Sequence, residues 1–237
     1  MRVALIGYGK MGKAIERIGL ENGMEFVAKI DRNDDIALLK GKAIDVAIEF
    51  TQPSSAFRNI QFCLENGIKV ITGTTGWSDR LPEIEKICLE NEGTFLFASN
   101  FSIGVNLFFE LNEWLAKKMI NLDFRPELLE VHHTEKKDSP SGTAITLAEG
   151  ILKENGGISS WINEKSADHQ KLGIISEREP NVPGTHTVTY SSNLERIEIK
   201  HTALDRSVFA EGVIKVAKWV QSQKGLLTMS DFINNQQ

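Results

Sequence analysis

Cysteine is scarce in this chain: its 237 residues include only Cys63 and Cys88. Both sit in helix-like apolar patterns, at a spacing that suits neither a zinc site nor a secreted disulfide scaffold, so no metal site is expected. Positive charge is also short, with 27 Lys and Arg against 32 Asp and Glu and a net charge of −5. That balance leaves no basic footprint for nucleic acid, and a small molecule becomes the expected partner. No apolar run reaches the ~20 residues of a bilayer crossing, and the chain begins at once with a strand-like run. A cytoplasmic protein with no membrane partner is therefore expected. No repeat, low-complexity tract or disordered tail stands out. The remaining composition, 41% apolar and 25% charged, supplies a well-buried core for one large domain or two modest ones.

Val3-Ala4-Leu5-Ile6 is apolar and stops at Gly7-Tyr8-Gly9-Lys10-Met11-Gly12. A helical pattern follows (Ile15, Ile18, Leu20), then a second apolar run from Phe26 to Ile30 that ends at Asp31-Arg32. Strand, glycine turn, helix, strand and acid together form the dinucleotide-binding fingerprint in its required context. Gly7 permits the tight turn, Gly9 lets the backbone approach a pyrophosphate, and Gly12 allows close helix–strand packing. Tyr8, Lys10 and Met11 belong to the same expected cofactor contact. Asp31, nineteen residues after Gly12, is placed to accept hydrogen bonds from the adenosine ribose. Arg32 beside it can pair with a 2′-phosphate, so NADH and NADPH both stay open.

Further strands alternate with helices. Ala43 to Phe50 runs into Thr51-Gln52-Pro53, where proline suits a helix start, and Ala56, Ile60, Phe62 and Cys63 carry that helix. Lys69 to Thr72 leads to Gly73-Thr74-Thr75-Gly76. Leu81, Ile84, Ile87 and Cys88 mark another helix before Thr94 to Ala98, which ends at Ser99-Asn100-Phe101. This alternation implies an α/β, Rossmann-type, doubly wound parallel sheet with ligands beyond the carboxyl ends of its strands. Gly73, Thr74, Thr75, Ala98, Ser99, Asn100 and Phe101 are accordingly expected along the cofactor cleft.

After Gly104 the pattern changes. Leu107, Phe108, Leu111, Trp114 and Leu115 recur at helical spacing as expected core. Thr185 to Tyr190 and Arg196 to Thr202 alternate like two strands of a hairpin. Strands without regular crossover helices suggest a smaller α+β domain with a mixed sheet. The helix from Val208 to Val220 then leads back to the first domain. The expected division is a dinucleotide-binding domain at 1–102, completed by 207–237, and a substrate-binding and oligomerisation domain at 103–206.

Within the second domain, Leu128 to Val131 runs into His132-His133-Thr134-Glu135-Lys136-Lys137-Asp138-Ser139-Pro140-Ser141-Gly142-Thr143-Ala144. A helix follows, with Ile145, Leu147, Ala148, Ile151 and Leu152 on its apolar stripe, closing at Gly156-Gly157. Strand periodicity sends His132 and His133 to opposite faces. Ser141 is a good N-cap, and the helix start it opens attracts a carboxylate. His and Lys beside an anion site are the ingredients of acid–base chemistry.

The segment from Glu127 to Ala144 resembles the signature of the 4-hydroxy-tetrahydrodipicolinate reductase (dihydrodipicolinate reductase) family, E-x-x-E-x-H-H-x-x-K-x-D-x-P-S-G-T-A. The likeness extends over the glycine turn, Gly73 to Gly76, Ala98 to Ser102, Gly104-Val105-Asn106, Pro183-Gly184-Thr185-His186 and His201-Thr202-Ala203. It implies reduction of a cyclic dicarboxylate imine by NADH or NADPH, in the diaminopimelate route to lysine, by a homotetramer. It also implies His132 as proton donor or acceptor and Lys136 as general acid. His133 would contact a substrate carboxylate, and Ser141, Gly142 and Thr143 would cradle one. Arg206 matches a family position as well, though a helix-start arginine explains it equally. The chain departs from the family pattern in a compact link between Asp31 and Ala43 and a tighter glycine turn, both near the adenosine end. Two other readings are a related amino-acid or imine dehydrogenase on the same two-domain plan and a non-catalytic nicotinamide-sensing protein.

Overall fold

The computed structural model describes residues 1–119, 121–154 and 156–235. Its elements begin β1 (Arg2–Ile6), α1 (Lys10–Glu21), β2 (Glu25–Ile30), β3 (Val46–Glu49), α2 (Pro53–Glu65), β4 (Lys69–Thr72), α3 (Leu81–Glu90) and β5 (Thr94–Phe97). Then come α4 (Ile103–Met119), β6 (Arg125–His132), α5 (Gly142–Glu154), β7 (Ser160–Ile162), β8 (Lys171–Arg178), β9 (Gly184–Ser191) and β10 (Arg196–Ala203). The chain closes with α6 (Ser207–Val220), β11 (Gly225–Leu227) and α7 (Met229–Asn234). Two compact units result, Met1–Ile103 with Ser207–Gln237, and Gly104–Arg206.

The first unit is a six-stranded parallel sheet in the order β11-β5-β4-β3-β1-β2. β1 reads as a continuous apolar run because both of its faces are covered, and Val3, Ala4 and Leu5 are fully buried. Ile15 and Ile18 of α1 enter the core, but Leu20 turns outward; Gly19 takes the inward place instead, because a Cβ there would meet the Phe26 ring at 2.6 Å. Pro53 occupies the first turn of α2, where its missing N–H costs nothing. The last segment of the chain returns to this core through Val213, Ile214, Ala217, Val220, Phe232 and Ile233. Lys69 fastens it, donating from Nζ to the carbonyls of Val220 (3.3 Å), Gln221 (2.6 Å) and Gln223 (2.8 Å).

The second unit is a five-stranded mixed sheet, β10-β9-β6-β8-β7. β10, β9 and β6 run antiparallel, while β6, β8 and β7 are parallel. Helices α4 and α5 share a core with one face of it, through Phe108, Leu115, Leu128, Leu147, Ile151, Ile174, Val188 and Tyr190. The expected core stripe of α4 is corrected here. Phe108 and Leu115 are buried, but Leu107, Leu111 and Trp114 lie 49%, 45% and 58% exposed. Asn112 takes an inward place and donates from Nδ2 to the Leu147 carbonyl at 2.9 Å. The fold class is thus the expected one, a doubly wound parallel sheet plus a smaller mixed-sheet α+β unit. No helix among the described residues is long and apolar enough to cross a membrane.

Candidate functional site

In the first unit the chain leaves β1 for β2 on one side and returns to β3 on the other, which makes the carboxyl ends of β1 and β3 the switch point of the sheet. A cavity of about 560 Å³ lies there. Gly7, Tyr8, Gly9, Asp31 and Arg32 line it, as do Thr51, Ser55, Arg58 and Asn59. Each glycine of the turn has its own reason. Gly7 holds φ +96°, and a Cβ would lie 1.9 Å from the Phe50 carbonyl oxygen; one on Gly12 would lie 2.2 Å from the Gly7 oxygen. Gly9 faces open space, with nothing within 4 Å of a built Cβ, and no side chain caps the α1 N-terminus there. An uncapped helix start behind a bare backbone fits a dinucleotide pyrophosphate.

Asp31 lies at the end of β2 and lines the cavity. Its N–H donates to Asp34 Oδ2, and its Oδ1 accepts from the Arg32 N–H, both at 2.8 Å. The compact link is a 3-10 turn at Ile36–Leu39, capped by Asp35 and anchored by buried Ile36 and Leu39. Lys10, Met11 and Gly12 do not line the cavity, nor do the loops after β4 and β5. Gly73 is pressed against the Phe50 ring, where a Cβ would stand 2.1 Å away. Thr74 Oγ1 accepts from the Thr51 N–H at 2.8 Å, and the Thr74 carbonyl accepts from the Trp77 indole at 2.6 Å. Thr75, Ser99 and Asn100 share those strand-end loops, while Ala98 and Phe101 are buried. Arg58 and Asn59 lie on the polar face of α2, where no sequence period marks a ligand contact.

In the second unit, β6 alternates strictly, and Leu128, Glu130 and His132 all point inward. Register sets Glu130 between His186 on β9 and Ser176 on β8, with Arg178 opposite His132. Burying a carboxylate costs several kcal/mol unless donors replace its water. Fully buried Glu130 has them: the Ser141 N–H at 3.1 and 3.2 Å from its two oxygens, Ser176 Oγ at 2.8 Å, and Arg178 Nη2 at 3.6 Å. Burial pushes its carboxyl upward, but contacts from His186, Ser141 and Ser176 outweigh it and hold the group at about 2. His132 Nδ1 lies 3.4 Å and His186 Nε2 3.6 Å from Glu130 Oε2. Burial and then the neighbouring His186 drive His132 down to about 4, helped by Lys136 and Arg178 and opposed by Glu130. The ligand-type atoms of Glu130, His132 and His186 lie within 4.8 Å of one another, a spacing common to hydrogen-bonded clusters and cation sites.

Ser141 caps α5 as its sequence predicts, its Oγ accepting from the Ala144 N–H at 3.1 Å. Its own N–H, expected to meet a ligand carboxylate, is already given to Glu130. Gly142 and Thr143 form the first turn of α5. Lys136 pairs with Asp138 at 2.8 Å on a loop that Arg178 holds from beneath, donating to the carbonyls of Lys136 (3.4 Å) and Asp138 (2.7 Å). His133 goes the other way. It lines a separate cavity of about 470 Å³ with Glu135, Asn181 and Arg206. Glu130 and His186 carried signals, the first in the long motif and the second in Pro183-Gly184-Thr185-His186, yet nothing in linear order shows that they meet.

Models of the dihydrodipicolinate reductase N-terminus and C-terminus match residues 1–101 and 104–233. A 4-hydroxy-tetrahydrodipicolinate reductase of Christiangramia forsetii is 45% identical over 99% of this chain and 98% of its own. Among solved structures, dipicolinate-bound dihydrodipicolinate reductase from Paenisporosarcina sp. TG-14 has a TM-score of 0.75 at 26% identity, covering 96% of this chain and 97% of that one. An amine dehydrogenase from Mycobacterium smegmatis shares the fold alone, with a TM-score of 0.64 at 9% identity over 96% and 94% of the two chains. Glycine turn, buried histidine site and full-length likeness converge, and the chain belongs to the dihydrodipicolinate reductase family of oxidoreductases.

Proposed function

We propose that this protein reduces 4-hydroxy-tetrahydrodipicolinate to tetrahydrodipicolinate with NADH or NADPH, in the diaminopimelate route to lysine. The observation that carries this reading is the meeting of His132, the Lys136 loop and the α5 start around Glu130, in a chain that also holds a bare glycine turn. The reduced nicotinamide supplies hydride when bound. Gly7, Tyr8, Gly9, Lys10, Met11 and Gly12 hold the pyrophosphate end, and the loops at Gly73 to Thr75 and Ala98 to Phe101 serve the nicotinamide end. Asp31 takes the ribose hydroxyls, while Arg32 and Arg58 meet a 2′-phosphate, so both cofactors are accepted.

The first unit binds the dinucleotide and the second binds substrate. Gly142 and Thr143, in the first turn of α5, hold one substrate carboxylate with the Ser141 hydroxyl. His133, whose cavity also contains Arg206, takes the other. His132 is neutral at physiological pH because burial and nearby cations hold it near 4. Lys136 therefore delivers the proton with which the substrate hydroxyl leaves as water while hydride bonds to the carbon that carried it, and His132 passes a solvent proton back to the Lys136 amine. The protein works in the cytoplasm as a homotetramer. Half-buried Leu129, Val131 and Ile175, on the sheet face opposite the helices, support self-association. A coupled assay on freshly generated cyclic substrate, run with each cofactor, tests the reaction; turnover of an aliphatic amino acid in its place would refute it. Light scattering tests the assembly.

A further inference from the structure

His132 Nδ1 is buried and has no hydrogen-bond partner in the structure, yet it stands 3.4 Å from Glu130 Oε2. An ionised carboxylate can only accept, so the proton of a neutral imidazole is favoured on the nitrogen that faces it. That leaves Nε2 as the basic nitrogen of His132. Nε2 points at Gly184, where a built Cβ would come within 3.1 Å; glycine keeps that nitrogen uncovered.

His186 completes the arrangement. Its ring sits 5.0 Å from the His132 ring at 72°, and its Nε2 lies 3.6 Å from Glu130 Oε2 and 3.2 Å from Ser141 Oγ. With a proton on Nε2, His186 donates toward both oxygens. Ser141 Oγ then accepts from His186 and from the Ala144 N–H, which uses its two lone pairs and turns its own proton away from the cluster.

We propose that Glu130 and His186 are positioning residues for the reductase. Glu130 fixes His132 as the Nδ1–H tautomer with Nε2 basic beside Gly184, and His186 aims the Ser141 hydroxyl proton at the substrate carboxylate. The groups facing His132 are Glu130 on its own strand, His186 on β9, Arg178 on β8 and Lys136 on the loop, and His186 in turn lowers His201 of β10, after that residue's own burial. Their cations oppose protonation of His132, and only the carboxylate favours it. The roles of His132 and Ser141 in turnover rest on the function proposed above; the tautomer does not.

The test labels the five histidines of the full chain with 15N and assigns His132 by the signal lost in His132→Asn. The expected spectrum at neutral pH has a protonated Nδ1 and a bare Nε2, with the protonated form shifting toward Nε2 in Glu130→Gln. A wild-type His132 protonated at Nε2 overturns the proposal. In steady state, Glu130→Gln and His186→Ala should each lower kcat by about 10²-fold, as loss of a residue that orients a functional histidine does, with the KM for nicotinamide unchanged. His186→Gln, which keeps an N–H for Ser141, should recover much of the loss. Circular dichroism identifies a variant that fails to fold, and His186→Ala and His186→Gln test the proposal without Glu130→Gln. Wild-type kcat and pH profile in folded His186→Ala also overturn it. A wild-type protein with the expected tautomer but no turnover of the cyclic substrate would sink the reductase reading and leave the tautomer assignment standing.

Discussion

Arg178 Nη2 donates to the Asp138 carbonyl at 2.7 Å, so a side chain from β8 holds the loop on which Lys136 is carried. The guanidinium also reaches the Lys136 and Glu177 carbonyls and stands near Glu130. Lysine has no rigid fork with which to replace it. Arg178→Lys should lower kcat by roughly 10-fold and Arg178→Ala by roughly 10²-fold, as a displaced proton donor does. Nicotinamide KM should stay the same; a parallel rise in that KM would show a wider collapse of the fold.

His132→Ala and Lys136→Ala should each lower kcat by roughly 10²–10⁴-fold, the scale of lost acid–base catalysis. Turnover near wild type in either variant removes that residue from the chemistry.

Gly9→Thr separates binding from folding. Threonine caps a helix about as well as glycine, and a Cβ at Gly9 meets nothing within 4 Å. The melting temperature should hold, while KM for both nicotinamides rises by at least about 10-fold because the side chain fills the phosphate approach. Gly7→Ala does the opposite: its Cβ would enter the Phe50 carbonyl from a φ of +96°, so stability itself should fall.

At the adenosine end, Arg32→Ala and Arg58→Ala should raise the KM for NADPH by about 10-fold each and leave that for NADH little changed, since charge-assisted bonds to a 2′-phosphate are worth ~1.5–3 kcal/mol. Asp31→Ala should weaken NADH more than NADPH. Equal losses for both cofactors in all three variants would remove these residues from discrimination.

Acid should destabilise the fold in two stages. His132 has an ordinary value of 6.5 and is held at about 4 when folded, so the unfolded chain binds its proton first. Its stabilising contribution is complete above 6.5 and is lost as pH falls toward 4, on the order of 3 kcal/mol in all. Glu130 falls from 4.5 to about 2 on folding, so its contribution is intact above 4.5 and lost as pH falls toward 2. Urea titrations at stepped pH will read both, and Glu130→Gln should erase the lower stage. Unchanged stability between pH 7 and 4.5 would contradict the buried state of His132.

The first βαβ unit was legible because each of its signals is local. Gly7 and Gly12 are required by contacts a few residues away or at the neighbouring strand end, and Val3–Ile6 is apolar because it is covered on both faces. β8 was not read. Its inward positions are Leu172, Ile174, Ser176 and Arg178, so the apolar period fades where the strand enters the site. β7 and β11 are three residues each, too short to show a period. On α4 apolar residues run round much of the helix, and only packing decides that Phe108 turns in while Leu107 and Trp114 turn out. Glu130 stands in the long motif, but its burial is not legible there: a glutamate in a strand reads as solvent-facing until a neighbouring strand and a helix start are known to supply its donors.

The Lys69 clasp has a consequence for the order in which the protein is made. Residues 104–206 leave the ribosome as a finished unit, while the parallel sheet still lacks β11 and the core residues Val213, Phe232 and Ile233. The unit that holds residues 1–103 is therefore completed after the one that follows it, because it must wait for residues 207–237, a delay of seconds at ordinary rates of synthesis. During that interval the β5 edge, later paired with Gly225–Leu227, is open to other strands. Truncation of the C-terminus should thus be felt most in the sheet that begins at residue 2.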